Sequence, residues 1–353
     1  MSVTRHRLFW PFAIWAALLL SNVVLNVKFF KIGVLHGHLY GNLVDVLLNG
    51  APLVLIALGM TVVIATGGID LSVGSLAAIS GAVACLRISH LHDQNSAGGV
   101  LLAIGVALVI AMLLGALNGF LVAVVGIQPI VATLILLVSG RGLAQLITNG
   151  AIVTVNSSPY KVIGSGYWFG LPADIFISLG MFVVASVVIR RSALGLLIES
   201  VGGNAVASRL AGVRSRRIIW LAYIFSGLCA GIAGLMISAN ISGADGNNAG
   251  LFFELDAILA VVIGGTSLLG GRFSLGATVI GALVIQTLET TILFHGVKPE
   301  EIRLVKAVVV TFIFLLQSPA FRSKVFGWRI RGKPPGEPSG DLPGDLPGVG
   351  ATA

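Results

Sequence analysis

The chain has 353 residues, of which 56% are hydrophobic and only 10% are charged, and its formal net charge is +8. Soluble domains carry about 25% charged residues. This composition therefore excludes an ordinary soluble protein and predicts an all-α polytopic membrane protein. The positive charge does not indicate a nucleic-acid partner, because the basic residues lie mainly at the two ends and in one middle loop.

Ten apolar segments are predicted to cross the membrane, where a span needs about 20 mainly apolar residues. They are Phe9–Val27, Val46–Ile69, Leu71–Leu86, 100–125, 129–148, Ile175–Ile189, Ile218–Ala244, Ala257–Gly271, Phe273–Leu288 and Ala307–Phe321. The short segments, such as Leu71–Leu86, can instead be re-entrant half-helices. The sequence thus predicts about ten transmembrane helices, with this alternative open for the short ones.

The basic residues predict the orientation of these helices. They cluster at residues 5–7, in the loop 190–217 and at 322–333. Six predicted crossings separate the first two clusters and four separate the last two, so all three lie on one side. The positive-inside rule makes that side the cytoplasm of a bacterial inner membrane. Lys28 and Lys31 then lie outside, against the rule.

The predicted organisation is a cytoplasmic N-terminus over 1–8, a transmembrane domain over 9–333 and a tail over 334–353. The tail is rich in glycine and proline and repeats Gly-Asp-Leu-Pro at 340–343 and 344–347. Such a composition predicts disorder, because it offers little apolar surface to bury.

A weak internal repeat surrounds two pairs of glycines. Val62–Ile64 precedes Gly67-Gly68, and Val261–Ile263 precedes Gly270-Gly271. Glycine-interrupted segments in corresponding positions of two halves point to the binding site of a transporter. The spacings differ between the halves, so chance is an alternative explanation.

The residue pattern predicts no catalytic, metal or cofactor site. The two cysteines, Cys85 and Cys229, lie in apolar stretches, and no histidines pair at ligand spacing within one span. A glycine-rich loop ending in Lys-Ser or Lys-Thr, which would bind ATP phosphates, is absent from the sequence. We therefore expect a protein that is not an enzyme and that binds no ATP itself.

The segment Thr66–Ser75 carries an acid at membrane depth. Asp70 and Ser72 follow two glycines, and both residues can cap the helix that comes next. The functional alternative is that Asp70 faces an aqueous pathway, because a carboxylate facing lipid is too costly. Asn118, Gln286 and Glu289, within other spans, are candidates to line a pathway, and hydrogen bonds between helices are the alternative for Asn118 and Gln286.

The basic loop 190–217 is too long for a simple turn. Asn204 can cap a short helix that Gly212 ends. An ordinary cytoplasmic loop and a helix that docks onto a cytoplasmic partner are both open interpretations. The candidate docking residues are Gly195, Glu199, Gly202, Gly203, Asn204, Arg209 and Gly212.

A dense polar cluster precedes the eighth predicted span, on the outer side in the predicted topology. It is either a solvated loop or a vestibule for a polar solute, since carboxylates and amides suit hydroxyl groups. The candidate residues are Asp245, Asn247, Asn248, Glu254 and Asp256.

Four motifs together resemble the ribose/galactoside-type ABC sugar importer permeases of the branched-chain amino acid/sugar permease superfamily. They are Thr66–Ser75, Gly115–Gly119, Ala132–Leu134 and Glu254–Leu268, within a similarity that covers about residues 45–320. Further motifs, namely Gln128-Pro129, Val131–Leu136, Gly140–Gly142 and Gly243–Leu251, are similar to the galactofuranose subfamily.

The resemblance implies a permease that moves a monosaccharide inward by ATP-driven alternating access. It implies a second permease, identical or paralogous, ATP-binding subunits on the cytoplasmic side and a periplasmic sugar-binding protein. Loop 190–217 would be the coupling element, so changing Glu199 or Gly203 should uncouple ATP hydrolysis from transport. The alternatives are a permease for ribose, another sugar or a branched-chain amino acid, an ion-coupled carrier and a membrane-embedded enzyme.

Overall fold

The protein, described here from a computed structural model over residues 8–25, 27–35 and 37–317, is mainly α-helical. In chain order the helices are α1 Phe9–Leu25, α2 Asn42–Ala65, α3 Val73–Ser89, α4 Ala97–Phe120, α5 Pro129–Ile147, α6 Ser158–Ser165, α7 Ala173–Arg191, α8 Leu194–Gly203, α9 Ala205–Leu210, α10 Ser215–Asn240, α11 Phe253–Ile263, α12 Leu275–Phe294 and α13 Pro299–Gln317. A π-helical turn, Leu121–Val125, extends α4.

Short antiparallel strand pairs fasten the loops between the helices. The strands are β1 Gly33–Leu35, β2 His38–Tyr40, β3 Val153–Thr154, β4 Tyr167–Trp168, β5 Leu171–Pro172 and β6 Gly243–Ala244. β1 pairs with β2, β4 with β5, and β3 with β6. The β3–β6 pair joins Val153 to Ala244, so it ties the loop after α5 to the loop after α10.

Within the described residues, six helices are long and apolar enough to cross a membrane: α2, α4 with its π-helical turn, α5, α7, α10 and α12. Helices α1 and α3 are apolar but shorter. The chain is therefore mainly helical, with enough apolar helices for a polytopic membrane protein, whereas length and composition do not establish ten spans. Each of the ten predicted segments contains a helix, although the last segment extends beyond residue 317, outside the described residues.

The eighth predicted segment, Ala257–Gly271, is helical only in its first half. Helix α11 ends at Ile263, and the chain then turns through Gly264 and Gly265. Gly265 has a φ of 78°, a left-handed conformation that glycine adopts without steric cost. The apolar run predicted as one span is therefore a half-helix followed by a turn.

Helix α10 lies at the centre of the bundle and packs closely on α3 and α4. Small residues at these contacts let the helix backbones approach. A Cβ at Gly234 would overlap the Ala77 carbonyl of α3, and a Cβ at Gly227 would lie 2.6 Å from the Ala111 carbonyl of α4. The core therefore depends on the absence of side chains along one face of α10.

Two compact units divide the chain, Met1–Lys306 and Ala307–Ala353. The first contains α1 to α12 and the start of α13. The second is described only over residues 307–317, which are helical. The predicted disordered tail, 334–353, lies outside the described residues.

Replacing Gly234 by alanine should destabilise the bundle by about 1–3 kcal/mol, because the added methyl group has no room against α3. Gly105→Ala in α4 is the matched control, since a Cβ there meets nothing within 4 Å. Thermal unfolding of both variants in detergent measures the difference. Equal stability of the two variants would show that the contact with α3 does not constrain the core.

Candidate functional site

Two interruptions of the helical structure lie against each other. The first interruption, residues 66–72, separates α2 from α3, and the second, residues 264–274, separates α11 from α12. The Gly271 N–H donates to the Ala65 carbonyl oxygen at 2.9 Å. Gly270, with a φ of 88°, lies so close to Gly67 that a Cβ would be 3.0 Å from its Cα. The two glycine pairs of the weak repeat therefore meet in space.

The C-terminal end of α8 packs onto both interruptions. A Cβ at Gly202 would overlap the Ala65 carbonyl and lie 2.5 Å from the Gly271 nitrogen. The next residue, Gly203, has nothing within 4 Å of the same position. Of these two candidate docking residues, only Gly202 makes the close contact with the interruptions.

The remaining candidate docking residues shape α8 and α9. Asn204 caps α9 as predicted: its Oδ1 accepts from the Val206 and Ala207 N–H groups at 3.0 and 2.9 Å. Helix α9 ends just before Gly212, which has a φ of 87°. The other candidate docking residues lie on both helices. In α8, Gly195 packs against α7, and Glu199 lines a groove of about 590 Å³ that Arg190 also lines. In α9, Arg209 is exposed.

Asp70 is completely buried in a closed network of hydrogen bonds. Its Oδ1 accepts from the Ser72 N–H at 3.1 Å and from the Ser72 hydroxyl at 2.6 Å, and its Oδ2 accepts from the Ser226 hydroxyl at 2.8 Å. Asn118 donates to Ser72 Oγ at 2.8 Å. Because buried carboxylates need such partners, the network ties α4 and α10 to the first interruption.

This network changes the expected roles of Asp70 and Ser72. Ser72 is the N-cap residue of α3 but makes no capping hydrogen bond; its hydroxyl donates to Asp70 and accepts from Asn118 instead. The prediction that Ser72 caps α3 is therefore wrong. The side chains of Asp70, Ser72 and Asn118 lie together. Both interpretations, a shared pathway and a contact between helices, require this arrangement. The place of these residues in a pathway stays a prediction.

The predicted polar cluster before α11 divides into three parts. Asp245, Asn247 and Asn248 form a turn in which Asp245 Oδ1 accepts from the Asn247 N–H at 2.9 Å and Oδ2 accepts from Asn248 Nδ2 at 2.8 Å. Arg141 of α5 holds this turn by donating to the Ala249 carbonyl at 2.6 Å. Glu254 and Asp256 have separate surroundings.

Charge and hydrogen bonding favour the ionised form of Asp245. Burial acts to raise its pKa, but the hydrogen bonds from Asn248 and Asn247, together with the positive charge of Arg141, hold the pKa below its usual value. The carboxylate therefore stabilises the turn at neutral pH. That contribution is lost as the pH falls through the lowered pKa.

Glu254 is buried against the first turn of α3. Its side chain is 6% exposed, and a Cβ at Gly74 would overlap Glu254 Oε2. Among the described residues, no donor lies within hydrogen-bond distance of this oxygen. The carboxylate lies where the N-terminal end of α3 favours negative charge.

Asp256 and Gln286 line a polar cavity of about 650 Å³ between α2, α10, α11 and α12. The cavity lies at the end of the bundle opposite α8, because it is lined by the start of α2 and by the ends of α10 and α12. Lys306 Nζ lies 3.0 Å from Asp256 Oδ2 and 2.9 Å from Glu289 Oε2. Three residues singled out from the sequence, Asp256, Gln286 and Glu289, thus belong to a cavity that the sequence did not delimit.

Sequence reasoning missed several residues of these sites. Asp45 and Asn49 line the cavity from α2, Lys306 bridges the two carboxylates, and Ser226 completes the Asp70 network. A lone lysine or aspartate in an apolar helix is a signal for a functional position. That signal was present at Asp45, whereas Lys306 follows three other charged residues in α13 and a serine such as Ser226 carries no such signal.

The comparisons with known proteins agree with these observations. Residues 42–316 match the family model described as the branched-chain amino acid transport system permease component. The chain is 48% identical to the galactofuranose transporter permease protein YtfT of Escherichia coli over 93% of this chain and 96% of that protein. It is 41% identical to the fructose import permease protein FruF of Bifidobacterium longum, over 81% and 80% of the two chains.

The ribose import permease protein RbsC of Escherichia coli is 37% identical over 78% of this chain and 85% of that protein. No solved structure matches the chain. The fold and the matches define a polytopic membrane permease. The chain belongs to the branched-chain amino acid and sugar ABC permease family, as its motifs indicated. Permeases of this family are transport subunits that work with ATP-binding and substrate-binding partners, which argues against an ion-coupled carrier or an enzyme.

Replacing Ser226 by alanine should destabilise the protein by about 1–3 kcal/mol, because it removes the donor to Asp70 Oδ2 inside the bundle. Ser139→Ala is the matched control, since the exposed Ser139 hydroxyl bonds only to its own helix. Thermal unfolding in detergent compares the two variants. If both variants are equally stable, the Asp70 network is not a structural element.

Proposed function

We propose that the chain is the transmembrane permease subunit of an ATP-driven importer that carries galactofuranose across the inner membrane by alternating access. The 48% identity with the galactofuranose permease over nearly the whole chain supports this substrate. The Asp245–Asn248 turn, which lies within the motif Gly243–Leu251 that resembles that subfamily, supports it further. Because fructose and ribose permeases are also relatives, another neutral monosaccharide is the second candidate.

The contact of α8 with both interruptions supports the transport mechanism most directly. Gly202 touches the backbone of Ala65 and of Gly271, so α8 meets the end of α2 and the turn before α12. No flexible side chain lies between these backbones. A partner that moves α8 therefore moves two interrupted helix pairs, which is the task of a coupling element within loop 190–217.

The proposed topology has ten crossings. It combines the six long helices with α1, α3, α13 and the half-helix α11 together with the turn that follows it, and it puts both termini in the cytoplasm. An ATP-binding subunit then docks at the α8 end, and a periplasmic sugar-binding protein delivers the substrate at the opposite end. A second permease, a copy of this chain or a paralogue, completes the importer within the lipid. The proposed permease domain is 9–333, between a terminus over 1–8 and a tail over 334–353.

Gly202→Ala should uncouple ATP hydrolysis from sugar uptake, because the methyl group has no room between α8 and the Ala65 carbonyl. Uptake should fall at least about tenfold, the effect of a barrier raised by 1.4 kcal/mol, while hydrolysis and membrane insertion persist. Gly203→Ala is the control. The sequence predicted uncoupling for a change at Gly203, but a Cβ there meets nothing within 4 Å, so we expect the effect at Gly202 instead.

Both activities are measured in membranes that contain the assembled importer, with the ATP-binding and sugar-binding partners present. Normal uptake by Gly202→Ala would contradict the role of α8. The substrate is tested separately, by uptake of labelled galactofuranose, ribose and fructose in cells that lack and then regain the gene. An unchanged galactofuranose uptake with a fall in another sugar would replace the proposed substrate.

A further inference from the structure

The polar cavity has a composition suited to a ligand rather than to helix packing alone. Its walls come from four helices and carry carboxylate and amide side chains: Asp45, Asn49, Asn240, Asp256, Gln286 and Glu289. Its volume of about 650 Å³ is within the range of about 300–1,000 Å³ typical of small-molecule sites. Asn49 and Asn240 are exposed, so the cavity opens at the surface of the bundle where they lie.

The walls of the cavity carry an excess of negative charge. Lys306 forms ion pairs with both Asp256 and Glu289, and its side chain is only 13% exposed. Asp45 contributes a third carboxylate to the same cavity. Counted together, Asp45, Asp256, Glu289 and Lys306 carry two more formal negative charges than positive ones.

The remaining wall offers hydroxyl recognition and flat apolar surface. Carboxylate oxygens accept hydrogen bonds from hydroxyl groups, and amides such as Gln286 both donate and accept them. The rings of Phe253 and Phe294 also line the cavity. Such rings supply rigid apolar surface on which the C–H face of a sugar can pack.

Gln286 is held in place for this task. It is 8% exposed, and its Cβ and Cγ lie 3.4 Å from the position that a Cβ at Gly50 would occupy. The stem of Gln286 therefore packs beside Gly50 of α2, next to the cavity wall, which restrains the side chain. A side chain restrained in this way loses less conformational entropy when a ligand binds.

We propose that this cavity binds a neutral monosaccharide within a single permease subunit and that its negative charge excludes sugar acids and sugar phosphates. The inference rests on the proposed function as a sugar permease. It adds that the permease itself selects the charge of the sugar, independently of the sugar-binding protein. A like charge in the ligand would meet carboxylates that the single Lys306 does not neutralise.

The test uses the full chain in lipid nanodiscs and calorimetric titration with three probes: galactose, galacturonate and galactose 6-phosphate. Galactose should bind at least about tenfold more tightly than either anion. Asn49→Trp should abolish binding, because it places a large side chain at the exposed mouth of the cavity. Asp45→Asn, which removes one charge at nearly constant size, should reduce the preference for galactose about tenfold. Glu301→Gln, an exposed carboxylate outside the cavity, is the matched control.

The possible results separate this inference from the proposed function. Equal affinities for galactose and galacturonate, or galactose binding that survives Asn49→Trp, would overturn the cavity assignment. Absence of galactose binding to a folded permease would also overturn the cavity assignment. If the assembled importer nevertheless takes up sugar normally, the proposed function is unaffected. Absence of uptake of every sugar by the assembled importer would instead contradict the proposed function.

Discussion

The hydrogen bond from the Gly271 N–H to the Ala65 carbonyl is the interaction on which the rest of the structure depends. A helix that stops inside a bundle leaves backbone groups without partners, and lipid offers no water to satisfy them. Here the two interruptions satisfy each other. Glycine at 67, 202, 270 and 271 permits the approach of the backbones. This one point therefore joins α2, α3, α11 and α12, and it is also where α8 is attached.

The polar side chains of this apolar protein form two different arrangements. Around Asp70 every carboxylate oxygen has a partner from the protein, so the group stabilises helix contacts and is closed to solvent. At the opposite end of the bundle, Asp45, Asp256 and Glu289 line a cavity, and Lys306 pairs with Asp256 and Glu289. The first arrangement resembles the core of a soluble protein. The second places carboxylate and amide groups around a cavity, which is what a site for a polar solute requires.

Much of the fold could be predicted because apolar segments of about 20 residues have one stable solution in lipid, the helix. The cap at Asn204 was also predictable, since capping is a local property of the chain. The sequence could not predict that Gly202 rather than Gly203 makes the close contact, because this depends on which side of α8 faces the interruptions. The cavity could not be predicted either: Asp45 and Lys306 are far apart in sequence, and only the packing of four helices brings them together. The length of the helix within Ala257–Gly271 was overestimated, because hydropathy does not reveal the turn at Gly264 and Gly265.

The account holds that α8 and the second interruption move as one body during transport. Spin labels at Leu196 of α8 and Arg272, both exposed, measure this in the assembled importer, and the native Cys85 and Cys229 are buried and should not be labelled. The distance between the labels is compared in the resting state and in an ATP-bound trapped state of a preparation that hydrolyses ATP. The account predicts one unchanged distance distribution. A shift of about 5 Å, the length of one helical turn, would contradict it.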